Sequence, residues 1–494
     1  MRSLTEEANM TMNESAAGRV YDSGRTATIA LLLEMASKIN SLTAKVNALT
    51  AQVAKLSKNS SNSSKPPSSD IVNPLAANRA ERRRLQKEKR KKGGQLGHPK
   101  WERKPFGSDE VDPVEYTLES CPVCSGRLEK LPDEEPKTMQ QVELATPPVR
   151  KIEHRAHAYW CSKCNQIHYA RIPEQTAKEG FFRPDISAMV CFLKYVGCMS
   201  LSGIKKYLKD AMNIPVTKGY LAKVIQKSSH SLDASYEELL QALPRQNLVN
   251  SDETGHKENG GKFWTWVFRA NLFVLFKISP SRGSEVLIDV LGKEFNGILG
   301  CDYFSAYRKF MKDFDVRIQF CLAHLIRDIK FLVDYPDRAV KNYGTRLLDA
   351  VRELFHTIHL RDTMSQKQFT AKLEACKRAV LKIGATYVPS QKVAQNMVKR
   401  LLANGESYFT FITTSQIDPT NNCAEQAIRF VVIYRRVSQG TRSENGRLAC
   451  ERFFTVIATC ARQGKSAFEF IKESIKNSCK GLPGPSLLPV ASTP

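Results

Sequence analysis

This 494-residue sequence lacks three features. It has no long apolar stretch, no N-terminal segment like a secretory signal, and no even number of cysteines. No apolar run approaches the ~20 residues that a helix needs to span a bilayer, so we expect no membrane helix. The N terminus (Met-Arg-Ser-Leu-Thr-Glu-Glu) lacks the apolar core of a secretory signal. The 13 cysteines are odd in number and spread along the chain. This favours a reducing compartment and metal ligands over a disulfide framework.

Acidic residues are scarce relative to basic ones. Asp and Glu number 50 against 74 Lys and Arg, which leaves a formal net charge of +24. A charge of this size and sign indicates a polyanionic partner, and nucleic acid is the usual one. The balance alone does not identify that partner, because ribosomal and membrane-surface proteins share it. The length allows two or more domains with cores of their own.

A heptad pattern predicts a coiled coil over residues 28–58. The a positions are Leu32, Ile39, Val46 and Val53, and the d positions are Met35, Leu42, Leu49 and Leu56. Mostly β-branched a residues with leucine-rich d residues favour a parallel two-stranded coiled coil, and hence a homodimer or a higher oligomer. The alternative is an amphipathic helix that packs on its own chain.

Residues 59–110 have the composition of a flexible linker followed by a basic arm. The arm contains Arg82, Arg83 and Arg84 within a run of Lys and Arg that ends at Lys92. Such a run adds salt-sensitive, sequence-independent affinity for nucleic acid. The alternative is a solvated charged helix.

Two Cys-x-x-Cys pairs predict a zinc module over residues 111–175. The pairs are Cys121 with Cys124 and Cys161 with Cys164. Four thiolates close a tetrahedral structural Zn²⁺ site, and strand-like stretches between the pairs indicate a small β-rich fold. A redox Cys-x-x-Cys is the alternative, and two pairs in succession favour zinc.

Residues 176–245 have a helical pattern. A break near Asn213-Ile214-Pro215 separates two apolar-periodic stretches, which suggests a helix-turn-helix that binds DNA. Any small helical core would give a similar pattern.

From Gln246 the pattern predicts three strands, a helix, a strand, a helix and a strand, then a helical insertion over about residues 325–403. This order predicts an α/β, ribonuclease-H-like catalytic domain over residues 246–475, with a central sheet flanked by helices. Residues 476–494 end in a Pro-rich stretch, and we expect them to be a disordered tail.

Three acidic residues occupy distinctive positions in this domain. Asp252 and Asp302 each follow short apolar strands, and Glu425 lies on a helix. Together they would form an oxygen-only site for hard divalent cations, two of which can clamp the attacking and leaving oxygens at phosphorus. Each residue also has a structural interpretation, as a turn or helix cap. Cys321 and His324 are a second possible ligand pair, and the alternative for them is packing or a substrate-side role.

Short segments along the chain carry a resemblance to one family of enzymes. They are Asn62–Asp70, Gly93–His98, the two Cys-x-x-Cys pairs, Asp252–Gly255, Ser279–Gly283, Asp302–Tyr307, Cys321–His324, Pro419–Asn422, Ala424-Glu425, Arg435–Ser438 and Gly440–Ser443. On these segments, residues 28–475 resemble the TnpC-type transposases of the insertion-sequence-sixty-six family, which are DDE enzymes. His256, Cys423 and Gln426 depart from the tryptophan, histidine and arginine common in the family. No expected catalytic carboxylate is replaced.

The resemblance implies that Asp252, Asp302 and Glu425 are the catalytic triad and that they hold Mg²⁺ or Mn²⁺ ions, in a pair. It implies a bacterial, cytoplasmic enzyme that cuts DNA at the terminal inverted repeats of its element and joins the 3′ ends to target DNA. Proteins encoded by the same element are possible accessory partners.

Basic and amide residues around Glu425 are expected to line the DNA path, with a solvated basic face as the alternative. They are Asn421, Asn422, Arg429, Arg435, Arg436 and Arg442. Two rival functions stay open. A ribonuclease-H-like nuclease would cut without joining, and a non-catalytic derivative of a transposase would bind DNA without cutting.

The paired cysteines predict a structural zinc. Metal analysis of the purified chain should find about one zinc per chain, by the four-thiolate argument. Cys121→Ser should lose that zinc, whereas Cys198→Ser, which lies outside both pairs, should keep it. A folded wild-type chain without zinc would contradict the prediction.

Overall fold

The computed structural model of the chain describes residues 21–56 and 148–488, apart from positions 162 and 165, and the isolated residues 18, 107, 109, 114, 123 and 125. The predicted basic arm with Arg82, Arg83 and Arg84 lies outside the described residues, as do Cys121 and Cys124. The chain divides into two compact units, which are described separately. The larger covers residues 1–73, 178–201 and 219–494, and the smaller covers residues 74–177 and 202–218.

The described residues form a mixed α/β structure in which helix predominates. The strands are β1 (Ala158–Cys161), β2 (Gln166–Tyr169), β3 (Leu248–Glu258), β4 (Gly261–Arg269), β5 (Val274–Ser279), β6 (Ile298–Cys301) and β7 (Arg317–Phe320). The helices are α1 (Arg25–Leu56), α2 (Glu174–Glu179), α3 (Pro184–Tyr195), α4 (Leu201–Met212), α5 (Lys218–His230), α6 (Asp233–Ala242), α7 (Glu285–Leu291), α8 (Ser305–Phe314), α9 (Leu322–Val333), α10 (Arg338–His359), α11 (Gln366–Ala385), α12 (Lys392–Asn404), α13 (Thr410–Thr413), α14 (Asn422–Ser438), α15 (Glu444–Arg462) and α16 (Ala467–Cys479). None of these helices is long and apolar enough to cross a membrane.

The larger unit is built on a five-stranded mixed sheet with the strand order β5-β4-β3-β6-β7. β3, β4 and β5 form an antiparallel meander. β6 runs parallel to β3, and β7 runs parallel to β6. Parallel neighbours need crossover connections, and α7 precedes β6 while α8 joins β6 to β7. This order of strands and helices confirms the order predicted from the sequence.

Aromatic side chains fill the core beside the sheet. Trp266 and Phe268 on β4 and Phe276 on β5 are buried. Trp266 packs edge-to-face on Tyr307 of α8, with ring centroids 5.9 Å apart. Phe276 packs in the same way on Phe454 of α15, at 5.8 Å. Strands with both faces covered carry near-continuous apolar runs, and the run from Trp264 to Phe268 is of this kind.

Helix α15 covers the free edge of β5. The backbone N–H groups of Val274 and Phe276 donate to the hydroxyls of Thr459 and Thr455, at 3.1 and 3.0 Å. Ile278 N–H donates in the same way to Glu451 Oε1 at 2.7 Å. Acceptors four residues apart on one helix face therefore satisfy alternate donors of the edge strand. An edge paired in this way is not available to another chain.

Helices α9 to α12 form the region between β7 and α14. α9 packs on α10, and α10 packs on α11. Gly344 allows the closest approach, because a Cβ there would lie 2.8 Å from Leu332 Cβ and from the backbone nitrogen of Val333. α10 starts at the N-cap Asp337, whose side chain accepts from Val340 N–H at 3.0 Å. These helices form the region that the sequence predicts as an insertion.

The C-terminal segment differs from the predicted disordered tail. α16 continues to Cys479, and Leu487 is buried. Ser235 Oγ donates to the carbonyl of Pro485 at 2.8 Å, and Gln463 Nε2 donates to the carbonyl of Leu487 at 2.7 Å. The expectation of a disordered tail was wrong up to residue 488. The buried Leu487 and these hydrogen bonds order a segment whose prolines suggested disorder. Residues 489–494 lie outside the described residues.

The smaller unit contains the hairpin of β1 and β2. The strands are antiparallel, with Trp160 opposite Ile167. Most of α4 belongs to this unit, whereas α5 belongs almost wholly to the larger one. The two helices of the predicted helix-turn-helix are therefore present, and their DNA-binding role stays a prediction.

Helix α1 presents an uncovered apolar seam. It spans the predicted heptads as one helix of 32 residues. Leu42 and Leu49, at d positions, are each 60% exposed, and the a residues between Ile39 and Val53 are similarly open. Apolar surface of this extent marks an interaction site more often than a solvated face. The coiled coil itself stays a prediction.

Charges in this seam should prevent association of the chain. Sedimentation of a variant with Leu42→Glu and Leu49→Glu should show a lower oligomeric mass than wild type, because charged d residues disrupt a buried seam. Ala44→Glu with Ala51→Glu is the matched control, since it places the same two charges at outward f positions. Equal masses for the two double variants would refute the coiled coil.

Candidate active site

Asp252 and Asp302 lie level with each other on neighbouring parallel strands. The β3–β6 ladder pairs Leu248 with Ile298 and Asn250 with Gly300. Asp252 and Asp302 each come two residues beyond the last of these pairs, so the chain carries both carboxylates to the same edge of the ladder.

The expectation that Asp252 ends its strand was wrong. β3 continues to Glu258, because its other neighbour β4 extends farther and pairs Asp252 with Val267. β6, in contrast, ends at Cys301, directly before Asp302. Asp252 is thus at the end of the parallel ladder but inside the antiparallel one. A rigid strand interior fixes its backbone more firmly than a loop would.

A buried amide joins the helix of Glu425 to β3. Asn421 precedes α14, and its Nδ2 donates to the Ser251 carbonyl at 2.8 Å while its Oδ1 accepts from Asn250 Nδ2 at 3.0 Å. Its backbone N–H donates to Cys321 Sγ at 3.1 Å. Gly300 makes room for this arrangement, because a Cβ there would collide with the Asn250 amide. The first turn of α14, which carries Glu425, is therefore held beside Asp252.

The acidic groups of the site repel one another. Burial raises the pKa of Asp252 well above its usual value, and the charges of Glu253 and Asp302 raise it further, with a smaller effect from Glu425. Burial and Glu253 raise the pKa of Asp302 to about 7. The N–H of Phe304, which donates to Asp302 Oδ1 at 2.9 Å, opposes this rise. Asp252 is therefore within electrostatic range of both Asp302 and Glu425.

Glu253 is a fourth carboxylate that sequence analysis did not single out. Its side chain is buried, and its Oε1 accepts from Arg282 Nε at 3.0 Å and from Nη2 at 2.6 Å. Its Oε2 accepts from the Tyr307 hydroxyl at 2.7 Å. The Arg282 guanidinium stacks over the rings of Trp264 and Phe304, at 4.4 and 3.9 Å. Two Arg282 donors thus share one Glu253 oxygen, while the Tyr307 hydroxyl and the stacking of Arg282 on Phe304 connect this pair to the segment that follows Asp302.

Helix α9 presents a row of side chains to Glu425. Arg327 Nη2 donates to Glu425 Oε1 at 3.3 Å, and Arg327 Nη1 lies 3.2 Å from His324 Nε2. His324 Nδ1 faces Glu425 Oε1 at 3.6 Å. Burial and Arg327 lower the pKa of His324, so the ring is neutral. One helix therefore directs both a guanidinium and an imidazole at the third carboxylate of the site.

Ligand atoms of Cys321, His324 and Glu425 lie within 4.8 Å of one another, as a transition-metal site would require. Arg327 argues against that use. Because arginine can only donate, His324 Nε2 must accept, which assigns the ring proton to Nδ1, the nitrogen that faces Glu425. In this arrangement no lone pair is available there for a metal. Of the two interpretations of the Cys-x-x-His pair, this geometry favours packing or a substrate-side role over a metal site.

The departure at His256 has a structural role. The ring is buried, with Nε2 3.2 Å from Thr441 Oγ1 and Nδ1 3.4 Å from Thr265 Oγ1. Burial, with Arg435 and Arg447 nearby, lowers the pKa of His256 to about 4. A neutral histidine therefore bridges β4 and the segment after α14 where a tryptophan is common in the family.

The residues expected on the DNA path divide into two groups. Arg429, Arg436 and Arg442 are exposed. Arg435 is half-buried, and its Nη1 donates to Thr254 Oγ1 at 3.1 Å and to the Gly255 carbonyl. The expectation was wrong for Asn421, which is buried because its amide is needed to hold β3. DNA contact by the four arginines stays a prediction.

The second pair of predicted zinc ligands lies on the β1–β2 hairpin. Cys161 is the last residue of β1, and Cys164 lies in the turn before β2. Cys164 Sγ is 3.1 Å from His168 Nε2. The side chain of Cys161 lies outside the described residues, as do Cys121 and Cys124. The zinc site therefore stays a prediction.

Comparison with known proteins identifies the family to which the chain belongs. A family model described as "Transposase IS66 family" matches residues 179–448, which is more than half of the chain. A second model, a family of unknown function (DUF6444), matches residues 2–104. The chain is similar to two proteins of Sinorhizobium fredii (strain NBRC 101917 / NGR234), both named as uncharacterized. It is 22% identical to y4qI over 73% of this chain and 71% of that protein, and 23% identical to y4hP over 72% and 70%.

Neutralising Asp302 should stabilise the metal-free protein. The pKa of Asp302 is about 7 in the folded protein and lower in the unfolded chain. At low pH the carboxyl is protonated in both states, and at high pH its ionisation lowers the free energy of unfolding. In chelator, Asp302→Asn should raise the free energy of unfolding by on the order of 1–3 kcal/mol at high pH. The gain should grow as pH rises from about 4 to about 7 and then level off.

Denaturant unfolding over this pH range measures the effect. Asp313→Asn is the matched control, because Asp313 is an exposed residue of α8, the helix that follows Asp302. This variant should show no such gain. A gain for Asp302→Asn that is independent of pH, or a loss of stability, would contradict the account of carboxylate repulsion.

Proposed function

This chain belongs to the Transposase IS66 family, and we propose that it cuts DNA at the ends of a bacterial insertion sequence and joins the freed 3′ ends to target DNA. The main support for the proposal is that Asp252, Asp302 and Glu425 lie close together at the end of the β3–β6 ladder. There the charges of Asp302 and Glu425 both raise the pKa of Asp252. A capping role alone would not require three carboxylates to share one site.

The strand order supports a ribonuclease-H-like catalytic domain. An antiparallel meander joined to two parallel strands is compatible with that fold, with the acidic residues on adjacent strands and on a later helix. The long helical region α9 to α13 would then be the insertion between the second aspartate and the glutamate. We propose the same domain limits as the sequence predicts, residues 246–475.

The donor set fits hard divalent cations. All three side chains offer oxygen, and burial together with mutual repulsion leaves negative charge that a cation would stabilise. We infer that Asp252, Asp302 and Glu425 hold Mg²⁺ or Mn²⁺, as a pair of ions. Such ions polarise the phosphodiester, activate the attacking oxygen and stabilise the leaving oxygen.

The chain's own residues would orient the reaction. Asp252 and Asp302 are fixed by the strands that carry them, and Glu253 with Arg282 fixes the segment after β6. Arg327 donates to the Glu425 carboxylate, and His324 lies beside it at 3.6 Å. Dense second-layer contacts of this kind keep reacting groups within the narrow geometry that displacement at phosphorus requires.

Two displacements complete the proposed reaction. Water attacks the phosphorus at the element's end, the bond from phosphorus to the 3′ oxygen breaks, and that oxygen leaves as a 3′ hydroxyl. The 3′ hydroxyl then attacks a phosphodiester of the target, forming a new ester and releasing a target 3′ hydroxyl. No serine or tyrosine nucleophile is needed, because neither step passes through a protein–DNA bond.

The remaining parts of the chain would bring DNA to this site. We propose that the coiled coil pairs two chains, so that one complex holds two DNA ends. The basic arm would add sequence-independent affinity, the zinc module would be a structural element, and α4 with α5 would contact the terminal repeats. Because DNA is the substrate, the enzyme would act on the bacterial nucleoid in the cytoplasm.

Amide variants test the proposal directly. Asp252→Asn, Asp302→Asn and Glu425→Gln each remove one negative charge from the cation site, so each should reduce cleavage and joining at least about a hundredfold. Binding to terminal-repeat DNA in a gel shift should survive. The control Asp313→Asn should keep activity. The assay measures strand transfer on terminal-repeat DNA with Mg²⁺ or Mn²⁺.

Other outcomes distinguish the rival functions. Cleavage without joining by the wild type would identify a nuclease, and binding without either step would identify a non-catalytic derivative. Robust joining by Asp302→Asn would show that the carboxylate assignment is wrong.

A further inference from the structure

A cavity of about 660 Å³ opens directly beside the candidate active site. It lies between α9 and α12, against Tyr303, the residue that follows Asp302. This volume is within the ~300–1,000 Å³ range of ligand pockets. The proposed reaction does not use this space, so its lining indicates a second role.

Two guanidinium groups hold the ring of Tyr303 at the cavity. Arg400 lies 4.0 Å from the ring centroid, and Arg308 lies 4.6 Å from it. Asn404 Nδ2 donates to the Tyr303 hydroxyl at 2.8 Å. The Tyr303 ring is thus fixed at three points, directly after Asp302 in the sequence, and the charge of Arg400 acts on Asp302.

Both cations keep unused donors. Arg308 Nε and Arg400 Nη2 are buried and have no hydrogen-bond partner among the described residues. Arg400 Nη1 is already committed to Asp328, at 2.7 Å. These two nitrogens are closed off from the open cavity, so an anion in the cavity would contact other atoms of the basic lining. An anionic oxygen is the acceptor that guanidinium groups favour most.

Part of the cavity lining is apolar. Phe331 and Leu332 of α9 and Met397 of α12 contribute to the lining, while Asn396 adds an amide. Asp328 is the acidic group in this lining, and Arg308, Lys399 and Arg400 outnumber it. A lining that combines basic and apolar side chains suits a ligand with a phosphate at one end and a flat, apolar-faced ring at the other.

We propose that this cavity holds one nucleotide of the DNA strand next to the reacting phosphodiester, with its phosphate on the basic lining that includes Arg308 and its base against the apolar lining residues. The inference rests on the proposed function, because it assumes that DNA reaches Asp302. A base in this cavity has left the helical stack, and the phosphate contacts and apolar burial would offset the free-energy cost of unstacking it. The site would therefore help to fix the position of the strand for cutting.

A double-substitution experiment tests the contact through binding alone. One uncharged methylphosphonate linkage is moved along the strand on both sides of the cleavage site in terminal-repeat DNA. Affinity is measured for the full chain without Mg²⁺ or Mn²⁺, so that no reaction takes place. The compared chains are wild type, Arg308→Ala, Asn396→Asp and Lys309→Ala.

One linkage should be coupled to Arg308. At that position the uncharged linkage should weaken DNA binding by the wild type about tenfold. The same linkage should hardly change the affinity of Arg308→Ala, which already lacks the contact. Asn396→Asp places a charge at an exposed site in the lining, so it should weaken binding to normal DNA and recover with the uncharged linkage. Lys309→Ala, the adjacent cation outside the lining, should add the same loss at every linkage.

Additive losses for both Arg308→Ala and Asn396→Asp at every linkage would overturn the proposal. A free nucleotide is the other source of the same chemistry, and titration with deoxyadenosine monophosphate tests it. Arg308-dependent binding of that nucleotide without any coupled linkage would also overturn the proposal. Coupling in a chain that performs no strand transfer would instead leave this site standing and contradict the proposed function.

Discussion

Repulsion among carboxylates at one edge of the sheet is the constraint on which this structure depends. Burial raises the pKa of both Asp252 and Asp302, and the charge of Glu253 raises both further. Such an arrangement persists only when the surrounding packing over-determines it. Arg282 neutralises Glu253, the pairing of β3 with β4 fixes Asp252, and the Phe304 N–H holds the Asp302 carboxylate. The buried amide of Asn421 holds the glutamate helix in place. A site stabilised in this way favours a cation.

Much of this site could be predicted from the sequence, because an acid directly after a short apolar run indicates the end of a buried strand. That pattern located Asp302 correctly and suggested that Asp252 lies beside it. It failed on the position of Asp252 within β3, since strand length depends on pairing with β4 and not on local composition. The pairing of Glu253 with Arg282 joins residues far apart in sequence, and no periodicity reports it. Asn421 looked like a surface amide because its burial depends on the tertiary contact with β3.

Helix α9 connects the active site to the helical region that follows β7. Its first turns direct His324 and Arg327 at Glu425, and its later turns supply Asp328 and Phe331 to the cavity beside Tyr303. One rigid element thus contacts both the third carboxylate and the proposed nucleotide site.

Metal rescue of a sulfur ligand tests the central claim, that these carboxylates hold the catalytic cations. Asp302→Cys replaces an oxygen ligand by a thiolate, which Mg²⁺ binds poorly and softer divalent cations accept more readily. Strand transfer by this variant should be lost with Mg²⁺ and restored in part with Mn²⁺, while the wild type works with both. Full activity of Asp302→Cys with Mg²⁺ would contradict the account, because Asp302 would then not be a ligand of the catalytic ion.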